Sequence, residues 1–195
     1  KGLSEQIDIF VIDTSPSLGL LNQMILLGAD YFVVPMMPDA FSVQGIENLG
    51  IMYEKWKIQW RNSAKALSGN TETKFVLQGD PLFVGYIINS YNVYGKQPII
   101  DHRAWMERNP ERLRIYLSEK HCRNGLVQES WKNPLNIIQD YGRIPAKCQE
   151  LGSAIFDLNP TLIADNQLGS KENIEKSKEE FINLSNNILK ILLAY

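Results

Sequence analysis

An apolar run that ends in a carboxylate constrains the fold of this chain more than any other feature. Residues 7–12, IDIFVI, are rich in β-branched side chains and are followed by Asp13 and then by small, mostly polar residues up to Gly19. Such a run predicts a buried strand of a parallel sheet that opens into a loop. Because ligands bind at the carboxyl ends of parallel strands, we expect Asp13 to lie where a site would form.

The residue types in this loop are compatible with two roles. A carboxylate at a strand end can hold a cation directly or through water, and small residues behind it let backbone N–H groups approach a phosphate. Alternatively, Asp13 is the N-cap of the helix that follows, a position where aspartate is common. The local sequence leaves both interpretations open.

The rest of the chain alternates apolar runs with helical patterns. Further strands are predicted at 31–35, at 83–91 and, as a short one, within 152–160. Helices are predicted at 18–28, from Ser42 to about Arg61, from an N-cap at Asn109, and after an N-cap at Ser170. A polar linker is expected over 61–73. This alternation predicts an α/β fold with a mostly parallel, doubly wound sheet.

Composition narrows the functional class. The chain has 195 residues, 44% of them hydrophobic and 22% charged, with a net charge of −2. It therefore suits a packed domain and gives no support to wholesale attraction to nucleic acid or membrane. The two cysteines are far apart and the two histidines lack metal-ligand spacing, so we expect a cytoplasmic, reducing location and no zinc site. No apolar run reaches the roughly 20 residues that span a bilayer, and no signal peptide is visible.

Residues 10–49 closely resemble the ParA/MinD (Soj-like) partition ATPases, which have a deviant Walker P-loop. The shared features are a strand ending in Asp13, the segment TSPSLG, an Asn near the start of the helix, then AD, an apolar strand, a proline and a Gly-containing helix. The similarity is looser over 83–91 and 142–157 and is absent over about 92–140, which we interpret as a family-atypical insertion. The resemblance implies a partial P-loop NTPase-like fold.

The resemblance also implies roles for individual residues. Asp13 would be the Walker B aspartate, which is catalytic and holds Mg²⁺. The residues that would contact ATP are Thr14, Ser15, Pro16, Gly19, Asn89, Pro145 and Ala146. Ser15 departs from the family, which usually has proline there. Asn89 would recognise adenine, flanked by the loop of Pro145 and Ala146, although Asn89 also suits a simple turn at the strand end.

The family's phosphate loop has no counterpart here, because no G-x-x-x-x-G-K-[ST] segment occurs in the 195 residues. In the resembled fold the strand carrying that loop lies beside the Asp13 strand. We therefore expect residues 1–195 to be the C-terminal portion of a ParA-like ATPase domain, an expectation that the non-Met start favours. The other explanation is a degenerate relative that kept the scaffold and lost catalysis.

The function implied by the resemblance is ATP-dependent partitioning of a plasmid, a chromosome or another cargo. It would proceed by nucleotide-driven homodimerisation, to which the helix of residues 41–49 would contribute, with nonspecific DNA binding and a ParB-like activator protein. ATPase activity would belong to the full-length parent. Two alternatives remain: a catalytically silent scaffold or DNA-bound regulator of the same fold, and an amidoligase or dethiobiotin-synthetase-like enzyme.

A basic stretch at residues 103–123 has two interpretations. It is either part of a DNA-binding surface or a solvated helix whose arginines pair with interleaved glutamates. The spacing of Glu111 and Arg114 is that of a local ion pair, so we favour the second interpretation.

Overall fold

The computed structural model describes residues 7–15, 17–67, 79–91, 93–94, 97–98, 100–118, 129–159 and 171–194. The strands are β1 Tyr31–Met36, β2 Leu82–Tyr91, β3 Val93–Tyr94, β4 Gln97–Pro98 and β5 Asn136–Gln139. The α-helices are α1 Leu20–Gly28, α2 Ala40–Leu67, α3 Ile100–Leu113, α4 Ile144–Leu151 and α5 Lys171–Leu192. A π-helical turn at Arg114–Ser118 continues α3, and a 3₁₀ turn forms at Ile155–Asp157.

Three parallel strands form the main sheet, in the order β1-β2-β5. The short strands β3 and β4 pair antiparallel in a separate ribbon. The ladder between β1 and β2 contains an irregularity, since Phe32 lies opposite Phe83 but Val33 lies opposite Gly85. The α/β class and the parallel sheet predicted from the sequence are confirmed.

Helices cover both faces of this sheet. Successive side chains of a strand point to opposite faces. Accordingly, Ile88 and Ile137 join a core cluster with residues of α2, α3 and the π-helical turn, while Ile87 and Ile138 join a second cluster with residues of α4 and α5. The doubly wound arrangement follows from this alternation.

Helices α1 and α2 pack together at the amino end of the strands. Leu27, near the end of α1, is buried against Tyr53 and Trp56 of α2. The Tyr53 hydroxyl donates a hydrogen bond to the carbonyl of Pro81, directly before β2, at 2.7 Å. Helix α1 begins just after the loop that follows Asp13 and ends just before β1. It therefore connects this loop to the amino end of the sheet.

The long helix α5 is fastened to strand β5 by side chains. The Glu180 carboxylate accepts hydrogen bonds from the Gln139 backbone N–H at 3.2 Å and from the Tyr141 hydroxyl at 2.8 Å. Burial and this carboxylate raise the pKa of Tyr141. Asn187 donates to the Leu135 carbonyl at 2.7 Å. Side chains of α5 thereby give hydrogen-bond partners to polar groups in and directly beside β5.

Two predicted helix starts are wrong. The N-cap of α2 is Asp39 and not Ser42: Asp39 accepts the Ser42 N–H at 2.7 Å, while the Ser42 hydroxyl accepts the Met37 N–H at 3.0 Å. Helix α2 also continues to Leu67, through the first part of the expected linker. Asn109 lies inside α3, fully buried, with both amide atoms unpaired, and Pro110 lies inside the same helix. The capping pattern was misleading because the helix already begins at Ile100. The N-cap predicted at Ser170 lies outside the described residues.

Two strand predictions are also wrong. Residues 152–160 contain the 3₁₀ turn instead of a strand. Residues 7–12 form no strand with any described residue, and their apolar side chains are exposed. Strand propensity describes how well a side chain fits a pleated, half-buried surface. A segment with high strand propensity therefore forms no strand unless a neighbouring strand pairs with it.

The exposed apolar run gives a prediction about association. Unpaired, hydrophobic, extended segments are sites of pairing between chains. Val11 is 92% exposed, so Val11→Lys is expected to lower concentration-dependent self-association of the purified chain, measured by light scattering. Ile182 on α5 is 50% exposed and serves as the control. If Ile182→Lys lowers self-association as much as Val11→Lys does, the chains do not associate specifically through residues 7–12.

Candidate functional site

The carboxyl ends of β1, β2 and β5 lie at one edge of the sheet because the three strands are parallel. Asn89 lies near the end of β2 and is exposed. Pro145 and Ala146 occupy the first turn of α4, which begins shortly after β5, and both are exposed. The structure therefore brings these three candidate residues to neighbouring strands at the same edge.

The loop between β5 and α4 is held by its own hydrogen bonds. The Asp140 carboxylate accepts the Gly142 N–H at 2.8 Å, and the Ile144 N–H donates to the Tyr141 carbonyl at 3.1 Å. Gly142 has a φ of 58°, a left-handed conformation that glycine adopts readily. The carboxylate of Asp140 thus shapes the loop that leads to Pro145.

The structure decides against a capping role for Asp13. The N-cap of α1 is Gly19, which has no side-chain capping bond, and it lies six positions after Asp13. Among the described residues the Asp13 side chain has no hydrogen-bond or ion-pair partner, and it is exposed. A carboxylate in that state is available to a ligand, and the metal-binding role of Asp13 stays a prediction.

The turn after Asp13 is organised by Asn22, a residue of α1. The Ser17 N–H donates to the Ser15 carbonyl at 2.8 Å. The Asn22 side-chain amide then donates to the carbonyls of Ser15 and Ser17, at 2.6 and 2.7 Å. Thr14 is exposed at the start of this turn, Gly19 is exposed at its end, and Pro16 lies outside the described residues.

Asn22 is the Asn near the start of the helix that the chain shares with the resembled family, but the sequence assigned it no role. Its signal was present, since an Asn in the first turn of a helix often bonds to nearby backbone groups. Which backbone groups it reaches depends on the path of the preceding loop, and no periodicity in the sequence fixes that path.

The sheet does not fix the two halves of the candidate site relative to each other. Residues 7–15 make no ladder with β1, β2 or β5, whereas Asn89, Pro145 and Ala146 are tied to the sheet or to α4. The roles of these residues toward ATP stay predictions.

The donor set around Asp13 is compatible with Mg²⁺ and not with a protein-built metal cage. No group of three or more His, Cys, Asp or Glu residues that would suit a metal ion occurs among the described residues. Mg²⁺ keeps several waters and is usually held by one or two carboxylates together with substrate phosphates. One exposed carboxylate beside an exposed turn fits that mode of binding.

The arginines of α3 and the π-helical turn are engaged in local contacts. Arg112 pairs with Glu47 of α2 at 2.8 Å, and Arg114 pairs with Glu111 at 2.6 Å and lowers the pKa of that carboxyl. The guanidinium of Arg108 lies over the Trp105 ring, 5.3 Å from its centroid. The predicted pair of Glu111 and Arg114 is confirmed. Lys120 and Arg123, at the end of the basic stretch, lie outside the described residues.

Comparison with known proteins identifies the N-terminal third of the chain. Residues 1–65 match the family model described as AAA domain. A virulence plasmid ParA family protein, pGP5-D, of Chlamydia psittaci is 40% identical over 47 residues, which is 24% of this chain and 18% of that protein. An uncharacterized protein of Methanocaldococcus jannaschii, MJECL24, is 28% identical over 96 residues, which is 49% of this chain and 31% of that protein. This chain therefore spans a small part of either relative.

No solved structure matches the chain significantly. Within the part of the chain that the structure describes, no helix is long and apolar enough to cross a membrane. The family match includes Asp13 and the turn that follows it, while Asn89, Pro145 and Ala146 lie beyond it. Together with the parallel α/β sheet, these matches support a ParA-like P-loop ATPase family for the part of the chain that contains Asp13.

Proposed function

We propose that this chain is part of an ATPase that binds ATP with Mg²⁺ at the carboxyl edge of its sheet and acts in partitioning. The observation that carries the proposal is the family match over residues 1–65. In this region Asp13 is exposed, has no partner among the described residues, and is followed by Ser15 and Ser17, whose carbonyls accept hydrogen bonds from Asn22. In phosphoryl transfer, catalysis consists mainly of positioning and of electrostatic stabilisation around the phosphates. A carboxylate and a phosphate-sensing turn are two of the parts needed.

The residues of the turn would act on the phosphate side of the nucleotide. Asp13 would hold Mg²⁺ directly or through water, and the ion would offset the charge that develops on the transferred phosphoryl group. Thr14, Ser15, Pro16 and Gly19 would form the segment that contacts the γ-phosphate. The small side chains here leave the backbone N–H groups accessible to an anion.

The residues after β2 and β5 would act on the base. Asn89 can both donate and accept hydrogen bonds with its amide, which suits the edge of adenine. Pro145 and Ala146 would pack beside the ring from the first turn of α4. Their common location at the carboxyl edge of adjacent strands supports this part of the proposal.

The phosphate loop would be supplied by a part of the protein outside residues 1–195. The proposal gives the exposed run 7–12 a role, because a strand from that part would pair with it and cover its apolar side chains. In the complete protein, residues 1–195 are then the C-terminal portion of the ATPase domain, and the stretch at about 92–140 is an insertion.

The cellular role follows the family and one named relative. The Chlamydia psittaci protein carries the name of a virulence plasmid ParA family protein. By extension, the complete protein would be cytoplasmic, would dimerise when ATP is bound, would bind DNA without sequence preference, and would respond to a ParB-like activator.

The proposal is tested with the complete protein that contains this chain. ATP binding is measured by calorimetry with Mg²⁺ and with EDTA, and the association state by light scattering with and without ATP. Mg²⁺-dependent ATP binding accompanied by dimerisation is expected. If the protein binds no ATP, the silent scaffold or DNA-bound regulator replaces the proposal, and ATP binding coupled to ligation of a carboxylate substrate would indicate the amidoligase or dethiobiotin-synthetase-like class.

A further inference from the structure

We propose that Asn22 is a positioning residue that fixes the turn after Asp13 to the first turn of α1. The inference rests on the proposed function in one respect, namely that this turn responds to the nucleotide. The geometry of the turn stands independently of that assignment.

The orientation of the Asn22 amide is determined by its partners. Both close contacts, at 2.6 and 2.7 Å, are to carbonyl oxygens, those of Ser15 and Ser17. A carbonyl oxygen only accepts hydrogen bonds, so the amide must present its nitrogen and both of its N–H donors to the turn. The serine hydroxyls lie farther from the same nitrogen, at 3.1 and 3.3 Å.

The chemistry of the side chain explains why asparagine is required. Two carbonyl oxygens need two donors on one short side chain, which aspartate lacks and alanine removes. Asn22→Asp retains the size of the side chain but directs a carboxylate at two carbonyl oxygens. A negative charge in the first turn of a helix is otherwise favourable, because it complements the helix dipole. Helix stability and turn order are therefore expected to respond to this substitution in opposite directions.

The two hydrogen bonds from the Asn22 amide to the carbonyls of Ser15 and Ser17, which we call the clamp, connect the turn to the core through α1. Asn22 holds the turn at the start of α1, and Leu27 near the end of α1 is buried against Tyr53 and Trp56 of α2. When the turn is displaced, α1 is then expected to move together with it. In the proposed ATPase, Asn22 would position the turn for the chemical step without touching the nucleotide.

The test uses the complete protein with selectively ¹⁵N-labelled asparagine. The Asn22 side-chain amide hydrogens are expected to exchange with solvent at least about tenfold more slowly than those of Asn48, since a net hydrogen bond corresponds to roughly a factor of ten. Asn48 is exposed, whereas Asn22 is half-buried, and the amide oxygen of Asn48, not its nitrogen, is the atom contacted by Gln44. Equal exchange rates for the Asn22 and Asn48 side-chain amides would contradict the clamp, and this result does not depend on the activity of the protein.

Kinetics separate a positioning role from a merely structural one. Asn22→Asp and Asn22→Ala are each expected to lower kcat for ATP hydrolysis about tenfold, with KM for ATP and the urea midpoint nearly unchanged. The matched control is Gln23→Glu, which adds the same charge one residue further along α1 and should leave kcat within about twofold. A kcat within about twofold of wild type in both Asn22 variants would overturn the positioning role. Absence of hydrolysis in the wild type would overturn the proposed function instead, and amide exchange would then decide the clamp.

Discussion

Gly85→Ala is expected to lower the free energy of unfolding by about 3 kcal/mol, the sum of backbone strain and overpacking. Gly85 has a φ of 148°, which L side chains rarely adopt, at the irregularity of the β1–β2 ladder. A Cβ there would lie 2.8 Å from Cγ of Leu135. The backbone of Leu135 is held by hydrogen bonds of its N–H to the Tyr86 carbonyl and of Asn187 to its own carbonyl, both at 2.7 Å, and its side chain is buried.

Urea unfolding followed by circular dichroism measures this effect, and Gly152→Ala is the matched control. Gly152 also has a positive φ, 61°, but a Cβ there would meet nothing within 4 Å. Gly152→Ala should therefore show strain alone, about 1 kcal/mol. Equal losses of unfolding free energy in the two variants would show that a Cβ at position 85 does not clash with Leu135.

Asp13→Ala in the complete protein is expected to reduce ATP hydrolysis at least about 10²-fold, since a metal clamp is worth several kcal/mol of transition-state stabilisation. The fold should be unaffected, because Asp13 is exposed and has no partner among the described residues. Asp8 provides the control, as another exposed aspartate in the same segment, residues 7–15. Phosphate release is measured for both variants.

Asp8→Ala is expected to leave turnover close to the wild-type value. Wild-type turnover in Asp13→Ala would remove Asp13 from the catalytic machinery. An equal loss in both variants would mean that the segment needs its acidic character in general and that Asp13 has no specific role.

The elements with strong periodicity could be predicted from the sequence. Tyr53 and Trp56 of α2 recur at helical spacing and are buried, and Ile174 of α5 is buried while Glu175 and Lys178 are exposed. Strands β1 and β2 are continuous apolar runs and begin within one residue of the predicted positions. In each of these elements the apolar residues that recur in the sequence are the ones that pack in the core.

Elements whose state depends on distant partners could not be predicted. Strand β5 has only four residues, Asn136–Gln139, too few for a pattern, and it is defined by pairing with β2 and by contacts from α5. Residues 7–12 have the composition of a strand but no described neighbour to pair with. Asn109 has the sequence of an N-cap, yet packing buries it inside α3, an example of tertiary context overriding local preference.

The candidate site was predictable in part. The resemblance located Asp13 and its turn, and the family match includes them, because their sequence is contiguous. The clamp by Asn22 was not predictable, since it depends on where the carbonyls of Ser15 and Ser17 lie relative to α1. The adenine-side residues come from separate strands, and only the parallel sheet brings Asn89 and Pro145 to one edge.

The most direct measurement of the central claim is the location of the metal–nucleotide complex in the complete protein. Mn²⁺ in place of Mg²⁺ broadens the NMR signals of nuclei close to the ion. With Mn²⁺·ATP bound, we expect broadening centred on the backbone amides of residues 13–15 and 17–19, with those of α5 unaffected, and loss of the effect in Asp13→Ala. Broadening centred on another part of the chain, or unchanged in Asp13→Ala, would contradict the claim.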